Sequence, residues 1–334
     1  MNSERPLLGL DIGGTNFRAA LAVGSEIVNS RAAAWPPDLS PEREVELIAD
    51  TASEIVREAG LDSPLAGVGV SLAALVDERG VVVQWPNRPA WRGLAFKALL
   101  EKRLAAPVWI EDDANAAALA EATLGAGRDY RDVLVLMIGT GVGAGLILNE
   151  QLFRGRNGWA GELGHVVMLP GGPSCSCGKQ GCLQMLCSGR ALERVAKMRG
   201  LRGAEEVTAA AGRGESWALD TLAESGRWLG LAAANVSELL DLEAVIVGGG
   251  LSGLLGAAWW TALEETLVGN LLNARHRRIA LLRTELSDTA GLLGALIIAR
   301  RANGETDSCN HNRARQTGSQ FRWLCPTPRT ALRH

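Results

Sequence analysis

The chain has 334 residues, of which 47% are hydrophobic and 21% charged, with a formal net charge of −3 at pH 7. At roughly 100–200 residues per domain this length predicts two domains or one large divided domain, and the apolar fraction excludes a wholly disordered or collagen-like chain. The small net charge gives no general attraction to nucleic acid or an anionic membrane, and no stretch reaches the ~18 consecutive apolar residues of a membrane helix. The apolar run beginning at Leu7 is interrupted by Asp11 and glycines, unlike a signal peptide, so we expect a cytoplasmic protein without nucleic-acid or membrane partners.

The first half of the chain predicts strands that alternate with helices. The expected strands, in chain order, are residues 7–10, 17–23, 66–72, 81–83 and 107–110. The expected helices are residues 41–59, 96–104 and 114–124. Ser40 is suited to cap the first of these helices and Pro41 to occupy its first position.

The second half repeats this pattern, which predicts an α/β architecture. The expected strands are residues 133–138, 146–148 and 244–247, and the expected helices are residues 190–198, 218–240 and 290–301. From residue 303 to residue 334 the sequence is polar and lacks hydrophobic periodicity, so we expect a disordered tail there.

Two glycine turns follow strands, one in each half. The first contains Asp11, Gly13, Gly14 and Thr15, and the second contains Gly139, Thr140, Gly141, Gly143 and Gly145. Glycines let backbone N–H groups approach phosphate oxygens closely, and the threonines add hydroxyl donors. Either turn alone could be a simple hairpin, and neither has the ending of a Walker loop. Together they predict a nucleoside triphosphate held between two lobes, with Asp11 suited to Mg²⁺ through water.

Acidic residues stand where a strand is predicted to pass into a helix, at Glu111, Asp112 and Asp113. They could simply cap the helix and complement its dipole. Alternatively, one carboxylate accepts a hydroxyl proton during phosphoryl transfer.

A metal site is predicted by His165, Cys175, Cys177 and Cys182, since three cysteines lie within eight residues and glycines surround them. Zinc favours four soft or imidazole ligands in a tetrahedron, and a Cys3His set closes a structural site. Disulfide scaffolds instead spread more cysteines over shorter chains.

These motifs occur together and in order in one known family. They are Leu10-Asp-Ile-Gly-Gly-Thr15, Pro86-Asn87 with Trp91, Glu111-Asp-Asp-Ala-Asn-Ala-Ala117, Ile138-Gly-Thr-Gly-Val-Gly143, Gly161-Glu-Leu-Gly-His165, the stretch from Cys175 to Leu183, and Val245-Ile-Val-Gly-Gly-Gly250. From about Leu7 to Arg301 the chain resembles the ROK family of bacterial sugar kinases and repressors, and within it the zinc-containing, glucokinase-like kinases.

The resemblance implies an actin/hexokinase-like (ribonuclease H-like) α/β fold, with ATP and sugar in the cleft between two lobes. The N-terminal lobe would span residues 1–117 and be joined by the last helix, 290–301. The C-terminal lobe would span residues 118–289 and contain the zinc knuckle at 165–182. Homodimers are common in the family, so a homodimer is possible here.

The resemblance also implies roles for individual residues. Asp113 matches the catalytic base that takes the proton from the sugar 6-hydroxyl. Residues matching sugar contacts are Asn87, Asp112, Glu162, His165 and Gln184. Residues matching the ATP and Mg²⁺ site are Asp11, Gly13, Gly14, Thr15, Thr140, Gly141, Gly249 and Gly250. His165 would also bind the structural Zn²⁺ with Cys175, Cys177 and Cys182.

Two positions depart from the family pattern. Asp112 stands where sugar kinases usually have Asn, and Gln184 stands where they usually have Glu. Both exchanges are nearly isosteric and could leave the substrate unchanged. Alternatively, Asp112 accepts hydrogen bonds only and therefore suits an ammonium group on the sugar better than an amide would.

The expected function is thus an ATP-dependent hexose kinase that phosphorylates the 6-hydroxyl of a glucose-like sugar. An alternative is an aminosugar 6-kinase acting on, for example, 3-amino-3-deoxyglucose (kanosamine) or an N-acetylhexosamine. A non-catalytic sugar-sensing regulator is a third possibility. Repressors of the family carry an N-terminal helix-turn-helix, and we expect none here because the phosphate turn already begins at Asp11.

Overall fold

The structure is a computed structural model that describes residues 5–61 and 63–304. The chain divides into two compact units. The first runs to Ala116 and resumes at Thr289, and the second runs from Ala117 to Asp288. The expected tail, apart from its first two residues, lies outside the described residues.

The first unit is built on a five-stranded sheet of order β3-β2-β1-β4-β7. Its strands are β1 (Leu7–Ile12), β2 (Asn16–Val23), β3 (Glu26–Ala34), β4 (Gly67–Leu72) and β7 (Val108–Asp112). Strands β1, β2 and β3 are antiparallel neighbours, whereas β4 is parallel to both β1 and β7. A short separate hairpin pairs β5 (Leu75–Val76) with β6 (Val82–Gln84). Strands β1 and β4 are almost wholly buried, as expected for parallel strands covered on both faces.

Helices α1 (Pro41–Glu58), α2 (Phe96–Leu104) and α9 (Ala290–Ala302) belong to the first unit. Ser40 caps α1 as predicted, because its hydroxyl accepts from the N–H of Arg43 at 3.4 Å. The last helix, α9, packs directly on β1 and β4. This approach requires glycine, since a Cβ on Gly69 would lie 1.8 Å from the carbonyl oxygen of Ala295.

The second unit has a five-stranded sheet of order β10-β9-β8-β11-β12. Its strands are β8 (Val133–Ile138), β9 (Val142–Leu148), β10 (Gln151–Leu152), β11 (Ala244–Gly248) and β12 (Ala280–Arg283). Strand β9 is antiparallel to β8 and β10, and β11 is parallel to β8 and β12.

The helices of the second unit are α4 (Gln184–Cys187), α5 (Gly189–Met198), α6 (Ala204–Gly212), α7 (Ser216–Leu240) and α8 (Gly256–Gly269). Helix α3 (Asp113–Thr123) contains the point where the two units meet in the sequence. Helices α7 and α8 pack closely because α7 presents glycines at four-residue spacing. A Cβ on Gly226 would lie 2.4 Å from the carbonyl oxygen of Trp259, and one on Gly230 would lie 2.5 Å from that of Leu263.

The two sheets share one strand order. In each, the first three strands form an antiparallel meander, and the fourth and fifth strands add in parallel on the other side of the first. Each glycine turn therefore occupies the same place, between the first and second strands of its sheet.

The predicted elements are present with small shifts of their ends, and seven others were missed. The missed elements are the strands β3, β5, β10 and β12 and the helices α4, α6 and α8. Strand β9 begins at Val142 rather than at the predicted residue 146, so the second glycine turn is shorter than expected. Its glycines lower strand propensity, but Gly143 pairs with Met137 and Gly145 with Val135 in the ladder to β8. Among the described residues, no helix is long and apolar enough to cross a membrane.

Candidate functional site

The turn between β1 and β2 is held by donors from outside it. The indole Nε1 of Trp35 donates to the carbonyl oxygen of Gly13 at 2.9 Å, and Nε of Arg88 donates to that of Gly14 at 3.2 Å. The turn is closed by the N–H of Gly13, which donates to the carbonyl oxygen of Asn16 at 2.9 Å. Thr15 is exposed at its tip.

The segment carrying Asn87 lies against this turn. A Cβ on Gly14 would be 2.9 Å from both Cβ and Nδ2 of Asn87, so only glycine permits this approach without a shift. The next residue, Arg88, is paired with the buried carboxylate of Glu44, which also accepts a hydrogen bond from Nε1 of Trp91. Asn87 itself is exposed. The structure thus brings Asn87 and the predicted phosphate turn together.

Asp11 lies near the end of β1. Its Oδ1 accepts a hydrogen bond from the hydroxyl of Ser71 on β4 at 2.9 Å. The start of α9 also faces it, since a Cβ on Gly291 would lie 2.4 Å from the same oxygen. A helix N-terminus attracts negative charge, so α9 adds a favourable electrostatic contact at this position.

Asp112 caps helix α3. Its Oδ1 accepts from the backbone N–H of Ala114 at 3.0 Å and of Asn115 at 3.4 Å. The capping alternative is therefore realised at this residue. An Asn at the same position could cap through its own oxygen, so exchanging Asp for Asn changes chiefly the second terminal atom, from an acceptor to a donor.

Asp113 is the first residue of α3 and is exposed. Glu111 and Asn115, which lie before and after the two aspartates, are buried. The side-chain amide of Asn115 donates a hydrogen bond to the carboxylate of Glu111 at 3.0 Å. This buried pair fixes the strand-to-helix junction, and Asp113 lies on the surface at the start of the helix.

In the second unit, the turn between β8 and β9 is braced by the segment leading into α5. The carbonyl oxygen of Gly139 accepts from the N–H of Gly189 at 2.9 Å. That of Thr140 accepts from the hydroxyl of Ser188 at 3.0 Å and the N–H of Arg190 at 3.2 Å. The side chain of Thr140 is exposed.

Gly249 lies beside the same turn, at the end of β11. It has a φ of +90°, and a Cβ there would lie 2.4–2.8 Å from backbone atoms of Ile138, the residue before the turn. Gly250 faces open space. The structure therefore places Gly249 next to the second glycine turn.

The four predicted metal ligands form one cluster. The ligand atoms of His165, Cys175, Cys177 and Cys182 all lie within 4.8 Å of one another. The sulfurs of Cys177 and Cys182 are 3.6 Å apart, and Nδ1 of His165 is 3.6 Å from the sulfur of Cys175. Ligands at zinc bond lengths on a tetrahedron are about 3.5–3.8 Å apart, so both the donor set and its spacing fit a zinc ion.

The pKa values of two cysteines in the cluster, Cys175 and Cys182, are shifted in opposite directions. Burial disfavours the thiolate of Cys175, but hydrogen bonds from the Cys177 backbone and from Gln184 outweigh it and lower the pKa to about 6. Burial, with the other two sulfurs nearby, raises the pKa of Cys182 to about 12. A cluster with one stable thiolate already has an attractive position for a cation.

Gln184 joins this cluster to the second glycine turn. It is 6% exposed, and its Nε2 donates to the sulfur of Cys175 at 3.1 Å. On its other side, a Cβ on Gly141 would lie 2.7 Å from Oε1 of Gln184. Glu162, a predicted sugar contact, is exposed at the start of the short turn that carries His165, and its carbonyl oxygen accepts from the N–H of His165 at 3.0 Å.

The model of the ROK family matches residues 7–302. The chain belongs to the ROK family. A glucokinase of Streptomyces coelicolor is 34% identical over 314 residues, covering 88% of this chain and 97% of that protein. A kanosamine kinase of Amycolatopsis mediterranei is 36% identical over 251 residues, or 73% and 80% of the two chains.

Among solved structures, the ROK hexokinase of Thermus thermophilus superposes with a TM-score of 0.81 at 34% identity, covering 89% of this ROK protein and 98% of that chain. The predicted family and its actin/hexokinase-like fold are confirmed.

Three residues that brace the first glycine turn of this ROK protein were not predicted from the sequence. Trp35 and Arg88 are polar donors to its carbonyls, and Glu44 orients Arg88. A signal for Glu44 was available, since it lies four residues before Ile48 on the buried face of α1, where an unpaired carboxylate would be costly. No local pattern pointed to Trp35 or Arg88.

Proposed function

We propose that this ROK-family protein is an ATP-dependent hexose kinase that transfers the γ-phosphate to the 6-hydroxyl of a glucose-like sugar. The observation that carries the proposal is the repeated strand order, which gives each unit a braced glycine turn between its first and second strands. Gly13, Gly14 and Thr15 would bind phosphate oxygens from the first unit, and Thr140 and Gly141 from the second. Gly249 and Gly250 would lie near the adenosine.

Asp113 is the proposed general base. Its exposure at the first position of α3 makes it accessible to a sugar hydroxyl. A weak base suffices because the transition state of phosphoryl transfer is loose and its proton leaves late. Most of the rate acceleration would then come from alignment of hydroxyl and phosphate by the binding residues.

Sugar binding is assigned to five polar residues of the two units, which are exposed or half-buried except for the buried Gln184. These are Asn87, Asp112, Glu162, His165 and Gln184. Asn87 lies against the first phosphate turn and Gln184 against the second, so each unit supports the proposed sugar contact and the proposed phosphate contact with the same segment of structure.

Two metal ions belong to the proposal. Mg²⁺, when bound with ATP, supplies charge neutralisation at the phosphates, and the carboxylate of Asp11 is the group that would hold it through water. Zn²⁺ would be held by His165, Cys175, Cys177 and Cys182, whose spacing fits. Because four protein ligands complete a zinc tetrahedron, this ion would be structural, and it would fix the orientation of the His165 ring toward a sugar hydroxyl.

A second candidate substrate is an aminosugar. Asp112 places an acceptor-only group where the sugar kinases usually have an amide, and the Amycolatopsis relative is a kanosamine kinase. A carboxylate would pair with a ring ammonium through a charge-assisted hydrogen bond, about twice as strong as a neutral one.

The test is an ADP-release assay on the purified full-length chain with ATP, Mg²⁺ and a panel of sugars. The panel contains glucose, mannose, N-acetylglucosamine, N-acetylmannosamine and 3-amino-3-deoxyglucose, and the phosphorylated position is assigned by NMR. Release that depends on glucose and yields the 6-phosphate supports the first candidate, and a strong preference for 3-amino-3-deoxyglucose supports the second. No sugar-dependent release, with sugar binding intact, would overturn the kinase and favour a sugar-sensing regulator.

A further inference from the structure

We infer that Trp35 and Arg88 are positioning residues that aim the backbone amides of the first phosphate turn, with Glu44 as the group that orients Arg88. The inference rests on the proposed binding of ATP phosphates at Gly13, Gly14 and Thr15. Trp35, Arg88 and Glu44 would raise the affinity for ATP without contacting it themselves.

The two hydrogen bonds fix the direction of the peptide groups that follow Gly13 and Gly14. The carbonyl of Gly13 points at the indole of Trp35, and the carbonyl of Gly14 points at the guanidinium of Arg88. Peptide bonds between described residues are trans, and in a trans peptide the N–H points opposite to the C=O. The N–H groups of Gly14 and Thr15 are therefore directed away from Trp35 and Arg88.

Without these donors, the peptide groups of the turn would lose their fixed direction. Glycine has unusually wide backbone freedom, so the peptides around Gly13 and Gly14 can rotate at little cost when their carbonyls are not held. Two amides that rotate freely must be ordered again when a phosphate binds, and that ordering weakens binding. Donors that are already aimed give the full interaction with an anion.

The two donors, Trp35 and Arg88, are themselves held in place by their neighbours. The guanidinium of Arg88 lies 4.3 Å from the ring centre of Trp35 and is paired with Glu44. The ring of Trp35 also packs against Phe17, with centroids 5.0 Å apart, and edge-on against Trp91. Glu44 is 3% exposed, and its second oxygen accepts from Trp91. A buried carboxylate that binds both Arg88 and Trp91 leaves the guanidinium one orientation, with Nε toward Gly14.

The test uses two variants that each remove one donor and preserve the packing. Trp35→Phe keeps an aromatic ring but loses the N–H that reaches Gly13. Arg88→Lys keeps the charge beside Glu44 but cannot donate to Glu44 and Gly14 in the fork geometry of arginine. Trp228→Phe is the matched control, because it also removes a donating indole N–H, one that reaches the carboxylate of Glu224 at 2.9 Å in the other unit. Arg79→Lys, at a position whose side chain is 85% exposed, is the control for arginine.

Dissociation constants are measured by calorimetry for the Mg²⁺ complex of a non-hydrolysable ATP analogue and, separately, for glucose. We expect each variant to bind the ATP analogue roughly tenfold more weakly, the equivalent of about one hydrogen bond. Trp35→Phe should leave glucose affinity within about twofold, and the two controls should match the wild type for both ligands.

Unchanged affinity for the ATP analogue in both variants overturns the inference. Equal weakening of the analogue and of glucose by Trp35→Phe also overturns it, because that pattern reports a general loss of packing in the unit. If the wild-type chain itself binds no ATP analogue, the proposed function fails and this inference fails with it. That outcome is distinguishable, because it is seen before any substitution is made.

Discussion

The side-chain amide of Gln184 donates a hydrogen bond to the sulfur of Cys175, with Nε2 and Sγ 3.1 Å apart. The same side chain lies against Gly141 in the second glycine turn, the proposed phosphate site of this unit. The proposed zinc site and the proposed ATP site of this unit are thus joined by one residue. An ionised Glu, the usual residue of the family here, could not make this bond, because it has no proton to donate to a thiolate.

From this contact we predict that Gln184→Leu weakens zinc binding by roughly 10–100-fold, the usual effect of losing a hydrogen-bond partner of a metal ligand. Zinc affinity is measured by competition with a chelator. Gln180→Leu is the control, since Gln180 lies in the same knuckle but is exposed. Equal zinc affinity in the wild type and Gln184→Leu would show that the contact does not support the metal.

The cluster itself predicts which cysteines matter. Purified wild-type protein should contain about one zinc per chain, and Cys175→Ser should contain almost none, because the Cys3His set needs every ligand to close the tetrahedron. Cys187→Ala should retain the metal, since the structure places Cys187 outside the four-ligand cluster. Elemental analysis of the three proteins decides the matter, and zinc retained by Cys175→Ser would contradict the assignment. Removal of zinc by a chelator should lower the melting temperature of the wild type and leave that of Cys175→Ser unchanged.

Much of this fold follows from local sequence patterns. The periodicity of α1, its Ser40 cap and the buried strand β4 were predicted because each depends on neighbours in the sequence. The metal cluster was equally accessible, since three of its four ligands lie within eight residues.

The remainder depends on contacts distant in sequence. Arg88 reaches Gly14 across 74 residues and Glu44 across 44, so nothing near Arg88 could indicate its partners. Strand β3 escaped prediction because its residues alternate between half-buried and exposed with few large apolar side chains, as is typical of an edge strand. The role of Asp112 could not be decided from the sequence, because an Asp suits both the helix cap that the structure shows and the expected ligand contact.

Asp112 yields a prediction about substrate choice. Because the capping oxygen can be retained in Asp112→Asn, the variant should fold normally, with a melting temperature close to that of the wild type. If the wild type prefers 3-amino-3-deoxyglucose, the variant should shift kcat/KM toward glucose by roughly tenfold or more, as a charge-assisted hydrogen bond is lost. If the wild type prefers glucose, the exchange should change kcat/KM by less than about threefold. A large loss for glucose alone would contradict both expectations.

The packing of α9 on the sheet predicts a stability effect. Gly69→Ala would put a methyl group 1.8 Å from the Ala295 carbonyl oxygen, and overpacking of this kind lowers the free energy of unfolding by about 1–3 kcal/mol. Gly212→Ala is the matched control, because a Cβ at this helical position meets no atom within 4 Å. Urea unfolding of the two variants measures the difference, and equal stability would show that α9 does not lie this close to β4.

The central claim is that Asp113 performs the chemistry of a sugar kinase, and Asp113→Asn tests it most directly. The amide preserves the shape of the carboxylate but cannot accept the hydroxyl proton, so kcat should fall by roughly 10²–10⁴-fold. Dissociation constants for the sugar and the ATP analogue should stay within about threefold of the wild type. Asp50→Asn, at an exposed position of α1, should behave as the wild type. A kcat for Asp113→Asn within about threefold of the wild type would contradict the account, because the proton would then have another acceptor.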